Sequence, residues 1–410
     1  MKYVKCKSKR GSSAVFLTLI LAALMSITLA LIYGVKSEAI KSSADAIITL
    51  AGDSVLSEFD RRVQEEYGMF LIKGTDGELS DKLHRYISYS FDDMDGVKIE
   101  SISVSSGKYS LADAAIVRSQ ILEHMKIMET KGKIEKILSE TSDEDIEYGK
   151  TGFDDRTLRH GPTIVSLPSA SVPDKGLTAT AESIADKAKD VDKAFEKGTD
   201  NYLINRYIFN YFNSKGNMVD ESHFFRKEVE YILGGEMSDS KNEKRVEIAL
   251  KAMRFPINLA YLYSDPEKQA ALAAAAQAMT PGAAAAATQA ALASTWAYAE
   301  SDNDVELLWK GKKVPIIKDD STWAVELDNA VEGIGGTVEP KTEKGYDYNG
   351  YLQILLFFQD ENIKLSRILD LIQINMRAKY DENFLIREYS TGITVKVKIN
   401  GKTYQYDKIY

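Results

Sequence analysis

Glu228 and Glu230 lie two residues apart in a short apolar run, residues 227–233, which reads as a strand closed by Gly234 and Gly235. On a strand, side chains at i and i+2 share a face, so the two carboxyls would form a pair of the kind that serves general acid–base chemistry. With Glu300 as a further acid, that chemistry would be hydrolysis of a cell-wall polymer. The plainer account is two charges facing water. Glu300, Ser301, Asp302 and Asp304 make a second acidic cluster, expected at a helix end or in a solvated loop, with an ion site as the sharper alternative. Asp92, Asp93, Asp95 and Gly96 resemble the middle of a calcium loop, yet Phe91 stands at the first ligand position and Ile102 at the twelfth, so two essential ligands are lacking. His84, His124, His160 and His223 have no serine or cysteine partner in a recognisable motif and read as surface or core histidines. Trp296, Trp309 and Trp323 read first as core anchors and second, for Trp296 and Trp309, as a sugar-binding platform. Phosphate-cradling glycine loops, HExxH, GxSxG and CxxC do not occur, and the run from Gly333 to Gly336 is only a turn. The sequence therefore calls for no catalytic residue, no metal and no cofactor, and the chain reads as a non-enzyme. Its candidate interaction surface is Glu228, Glu230, Trp296, Glu300 and Trp309.

The chain has 410 residues, 44% hydrophobic and 28% charged, which at about 150 residues per domain allows two or three folded units and excludes disorder, collagen and a polytopic membrane protein. With 61 acidic against 52 basic residues, a net charge of -9 provides no basic footprint, so nucleic acid is not an expected partner. One cysteine, Cys6, excludes an intramolecular disulfide and a multi-cysteine zinc site. Residues 14–33 run without a charge for about 30 Å of helix, the thickness of a hydrocarbon core. Lys2, Lys5, Lys7, Lys9 and Arg10 precede this run and no acid appears before Glu38, which puts residues 1–13 in the cytoplasm as a basic leader and the rest outside. The competing expectation is a cleaved secretory signal, with Thr28 and Ala30 as a small-residue site.

Beyond the apolar run, Ile40, Ala44, Ile47, Ala51, Val55, Phe59, Val63 and Tyr67 recur at three- and four-residue steps, so residues 14–67 are expected to form one rod capped by Gly68. Gly52 would weaken it by about 1 kcal/mol. A helix over 79–91, a strand over 97–105 and a helix over 111–138 follow. Residues 141–175 read as a loop or linker between a first part, 34–140, and a head, 176–410. In the head, helical pattern covers 177–212, 242–263, 266–279, a segment after Pro281, 348–358 and 363–376. Strands are expected at 385–389, 393–399 and 403–406, the last two joined by Asn400-Gly401. Alanine supplies 15 of the 24 residues from 270 to 293, but interrupting Gln, Thr, Pro and Gly argue for packed soluble helices rather than a second span. The fold class is α+β, predominantly helical, with a small antiparallel sheet.

From Gly11 to Phe70, with GSSAVFLTLI, Glu38 and EEYGMF, the chain resembles a family of single-span proteins of unknown function from Gram-positive bacteria, similar at the N-terminus to TadE- and TadG-like subunits of tight-adherence (Flp) pilus systems. The resemblance continues through EVEYILGG (228–235), Arg254 with Asn258, WAYAES (296–301), GKKVPIIK (311–318), Trp323, and Arg367 with Asp370, Leu371, Ile372 and Asn375. It implies a membrane-anchored pilin-like subunit with an extracellular head, whose partners are the membrane and other pilus-assembly subunits met through the N-terminal helix. It carries over no catalytic residue. Prepilin-like subunits are cut after a glycine and bear glutamate five residues later; cleavage between Gly11 and Ser12 would put Phe16 there.

Overall fold

The computed structural model describes residues 10–92, 94, 96–138, 156–158, 166–191, 200–333 and 336–410. Cys6, Asp93, Asp95, His160, most of the basic leader and most of the expected 141–175 linker lie outside these residues. The helices are α1 (Arg10–Leu56), α2 (Arg61–Tyr67), α3 (Asp76–Phe91), α4 (Ala114–Leu138), α5 (Leu177–Ala185), α6 (Asp200–Tyr211), α7 (Glu228–Gly234), α8 (Asp239–Ser264), α9 (Pro266–Met279), α10 (Ala285–Trp309), α11 (Leu327–Glu332), α12 (Tyr348–Phe358) and α13 (Glu361–Lys379). Strands β1 (Ile99–Ser105), β2 (Gly392–Ile399) and β3 (Lys402–Ile409) form an antiparallel sheet in that order. This is the α-rich α+β class.

The chain divides into two compact units, one of residues 1–59, 71–109 and 390–410 and the other of residues 60–70 and 110–389. The division does not fall at 141–175, and the C-terminal hairpin belongs with the N-terminal helix rather than with the helical head. In the first unit, Ala44, Ile48, Ala51 and Val55 of α1 join Leu79, Leu83 and Ile87 of α3 and the alternating Ile393, Val395, Val397 and Ile399 of β2 in one core. The period-two burial along β2 turns its apolar face to the helices and leaves Lys396 and Lys398 outward. Asn400 (φ 48°) and Gly401 (φ 78°) both take the left-handed conformation that a two-residue hairpin turn demands. Gly52 has a packing reason: a Cβ there would stand 3.1 Å from Cγ of Lys408, whose ammonium reaches Asp53 at 2.8 Å.

Ahead of that packed part, α1 leaves Val15, Phe16, Leu24, Met25, Ile32 and Tyr33 exposed. Its most apolar 18-residue stretch has a mean hydropathy of 2.7 with none of it buried, and it is the one helix among the described residues long and apolar enough to cross a membrane. At the N-terminal end of a chain such a helix is a membrane span or a signal sequence. The expected rod to residue 67 is interrupted. Asp60 adopts an extended conformation and accepts hydrogen bonds from Arg62 N (3.0 Å) and Val63 N (3.3 Å), starting α2 as a separate helix. A capping carboxylate that satisfies two orphan N–H groups wins over one more turn of α1. Gly68 (φ 67°) ends α2 as expected.

In the second unit, α8 runs through Pro256, and α9 and α10 bury Leu272, Ala276, Ala285, Leu292 and Ala293 with the indoles of Trp296 and Trp323. The alanine run is therefore two packed helices. Three further expectations are corrected. Residues 227–233 are helical (α7), because an apolar run this short fits either period and Gly235 (φ 72°) closes a helix. The stretch 177–212 is not one helix, since α5 ends at Ala185 and α6 begins at Asp200. Most of the strand expected at 385–389 is a single 3₁₀ turn, Ile386–Glu388, and only Tyr389 enters a short strand, Tyr389–Ser390.

Candidate functional site

The helical conformation of α7 separates the two glutamates. At i and i+2 they are about 200° apart around the axis, so they share no face. Both side chains are fully buried. Glu228 accepts from Asn213 N (2.8 Å) and Asn375 Nδ2 (2.5 Å), and one oxygen pairs with Nδ1 of His223 at 2.8 Å. Burial opposes a charge on His223, but Glu228 and Asp220 outweigh it and hold the imidazole above its ordinary pKa. Glu230 accepts from Lys215 N (2.9 Å) and Tyr348 Oη (3.1 Å), and burial pushes its carboxyl up to about 7. From the same turn, Lys215 places its ammonium 4.3 Å from the ring centre of Trp309. The structure thus brings Glu228, Glu230 and Trp309 to one segment, 213–217, with Trp309 half-buried and one ring face taken.

Trp296 and Glu300 belong to a different cluster. They stand one turn apart on α10, in mid-helix rather than at a helix end, and both are buried. The Nε1 atoms of Trp296 and Trp323 donate to the same carbonyl, Val325 O, at 2.7 and 2.8 Å, with their rings edge to face at 5.5 Å. The ammonium of Lys268 lies 5.5 to 5.9 Å from the ring centres of Tyr261, Trp296 and Trp323, so a cation already occupies that aromatic face. Glu300 accepts from Val325 N at 2.8 Å and pairs with Lys318, which also lies 2.6 Å from Asp304. Asp304 accepts from Arg254 Nε (2.9 Å) and Asn258 Nδ2 (3.0 Å), and Asn258 donates to Ser301 Oγ at 3.0 Å. Burial raises the Glu300 carboxyl, whereas Lys318 and Arg254 overcome burial at Asp304 and hold it low.

Neither cluster offers a carboxyl to a substrate. A hydrolytic pair needs both groups within reach of the scissile bond, and Glu228, Glu230 and Glu300 have no accessible surface. The interaction surface expected of these residues is likewise not formed, with Trp309 alone partly exposed. Arg367 and Asp370, which the sequence offered only as part of a resemblance and not as site residues, complete the network around α7. Asp370 accepts from Ser169 N and Tyr231 Oη, each at 3.0 Å, and burial lifts it to about 6. Arg367 donates to Ile232 O and Leu233 O and pairs with Asp174 at 2.6 Å. Glu66, Asp220 and His223 bring ligand atoms close enough to suit a metal ion. That position already holds a cation, because Lys379 Nζ lies 2.8 Å from Glu66 and 3.2 Å from Asp220.

Among known families, the model of a family of unknown function, DUF5702, matches residues 160–401, more than half of the chain, and the chain belongs to that family. The matched span contains both buried networks. No curated protein and no solved structure matches the chain.

Proposed function

We propose that the chain is a membrane-anchored, pilin-like accessory or minor subunit of a tight-adherence (Flp) pilus or secretion system, a structural part without enzymatic turnover. The observation that carries this reading is the two-part character of α1. Its first half exposes apolar side chains all round, and its second half is an amphipathic helix packed on an antiparallel sheet. Apolar surface left in water costs about 25 cal/mol per Å², so the first half is covered either by lipid or by helices of the same kind. A subunit held in the bilayer until it joins its neighbours has that requirement. Burial of the candidate carboxyls supports a non-enzymatic role. On this reading the leader lies in the cytoplasm and the two units outside, the orientation that five cations ahead of the span favour. Leaving the bilayer for an apolar bundle then requires removal of that leader, because unpaired buried charges are costly.

N-terminal sequencing of the mature protein tests this directly. A first residue of Ser12 is the expected product of cleavage after Gly11, and an intact N-terminus would make the chain a permanent stalked anchor instead. On intact cells, a cysteine placed at exposed Ser42 should react with an impermeant thiol reagent while Cys6 does not, and the reverse pattern would overturn the orientation.

A further inference from the structure

Lys318, Glu300 and Asp304 make the one lysine–carboxyl cluster among the described residues that is closed to water, the lysine side chain being 1% exposed and both carboxyls 0%. Glu300 and Asp304 project from successive turns of α10. Lys318 comes from the loop that follows, which Arg254 holds by donating from Nη1 to Ile316 O at 2.6 Å. The ammonium of Lys318 contacts Oε1 of Glu300 and lies 2.6 Å from Oδ1 of Asp304. Oδ2 of Asp304 is taken by Arg254 Nε and Asn258 Nδ2, whereas Oδ1 engages in no hydrogen bond among the described residues and is left to receive a proton. On the other carboxyl, Val325 N donates to Oε2 of Glu300 at 2.8 Å, and Ala324 N reaches Oε1 and Oε2 at 3.1 and 3.3 Å. Backbone donors so placed stabilise an oxyanion growing on a carboxyl carbon.

The cluster therefore holds an amine, a carboxyl backed by an oxyanion hole, and a base, with water shut out. Burial lifts Glu300 toward its neutral form, while Lys318 and Arg254 outweigh burial at Asp304 and keep it ionised. We propose that Lys318 and Glu300 condense into an isopeptide bond, with Asp304 as the proton carrier. The ammonium gives one proton to Oε1 of Glu300, and the freed lone pair forms the bond from Nζ to Cδ as a carbonyl electron pair moves onto Oε2. Oδ1 of Asp304 takes a second proton from the nitrogen and passes it to the Oε1 hydroxyl. The Cδ–Oε1 bond then breaks, water leaves, and the carbonyl closes at Oε2. One cation and one anion are consumed together, so Arg254 and Asp304 remain a balanced pair. The product ties α10 covalently to the loop after it in a single event without turnover. The inference does not rest on the membrane-anchored reading and could fail or hold without it.

Lys251 is a control within the same chain. It too meets two carboxylates, Glu247 at 2.8 Å and Asp302, but its side chain is 24% exposed. The full chain is denatured, digested with trypsin and mapped by mass spectrometry. Residues 269–310 and 314–341 should appear joined, uncut after Lys318 and lighter by one water than the two peptides together, with ordinary cleavage after Lys251. Lys318→Arg keeps the cation without the nucleophilic amine and should yield separate peptides. Asp304→Asn should slow joining about a hundredfold in a pulse-chase, the scale of a lost general base. If that variant does not fold, the parent chain and Lys318→Arg decide the matter. Ordinary cleavage after Lys318 in the parent, a joined product that survives Lys318→Arg, or joining by Asp304→Asn at the parent's rate would overturn the inference.

Discussion

The second unit buries two polar networks, and they reach neutrality by different means. Around α10, two cations and two anions, Arg254 and Lys318 with Glu300 and Asp304, balance charge for charge in a space closed to water. Around α7 and α13, carboxyls meet amides, hydroxyls and one imidazole: burial lifts Glu230 to about 7 and Asp370 to about 6, and Glu228 holds His223 above its ordinary value against the opposing effect of burial. The first network pairs each charge with an opposite one and is intolerant of losing a member. The second tolerates neutralisation, and its contribution shifts with pH. Buried charge in one protein can therefore act as a fixed brace or as an adjustable one, and the choice of partners decides which.

The largest effect should come from unbalancing the fixed brace. Arg254→Met leaves Asp304 and Glu300 to share Lys318 alone, and breaking a buried pair on one side costs about 3 to 5 kcal/mol. Urea unfolding followed by tryptophan fluorescence should show that loss. Arg254→Met combined with Asp304→Leu should recover part of it, since balanced apolar replacement of buried ions is close to neutral. A double variant no better than the single one would mean that hydrogen bonding rather than charge balance holds this network.

The adjustable network should answer to pH. The folded Glu230 carboxyl titrates at about 7 against an ordinary 4.5, so between those values the folded state keeps a proton that the unfolded chain releases. Its stabilisation is complete below pH 4.5 and declines as pH rises to about 7, by about 3 kcal/mol for a shift of this size. Glu230→Gln keeps an oxygen for Lys215 N and Tyr348 Oη and should remove that slope. Equal slopes in variant and parent would assign the pH dependence to Asp370 instead. His223 works in the adjoining range: with its folded pKa raised, its contribution is present below about 6.5 and is lost above. Smallest of all is Trp309→Leu. It removes a half-buried ring with a single cation on one face, worth about 0.5 to 1 kcal/mol, and a larger loss would mark Trp309 as a true core anchor.

Sequence periodicity located most helices of the second unit and the hairpin of the first, because amphipathic spacing and an Asn-Gly turn are local signals. Pro266–Met279 and Tyr348–Phe358 were legible to the residue. The break at Asp60 was not, since a capping aspartate in a continuing apolar stripe looks like one more polar position. The strand expected at 227–233 failed for another reason, that a run buried on every side carries no period. For the candidate site, the motif residues were visible but their role was not. EVEYILGG, Arg367, Asp370 and Asn375 form one network, and Arg254, Asn258, Glu300, Lys318 and Trp323 the other, held by bonds across separations of 25 to 147 residues that no local pattern encodes. The type of a residue gives its chemistry, but only burial tells whether that chemistry faces a substrate or its own chain.

The segments of the first unit are far apart in the order of synthesis. Its helix α1 is made first, and the strand that covers it, β2, emerges only after the whole of residues 110–389. For that interval Ala44, Ile48, Ala51 and Val55 lack their sheet. Pairing strands so distant in sequence is slow, because a long loop must close before any contact forms. The second unit, residues 60–70 and 110–389, is complete in the chain before β2 is made and can meanwhile fold on its own contacts. A ribosome that stalls or a protease that cuts between Tyr389 and Gly392 would therefore release a chain with a complete helical body and an uncovered helix, a species prone to aggregate or to be cleared.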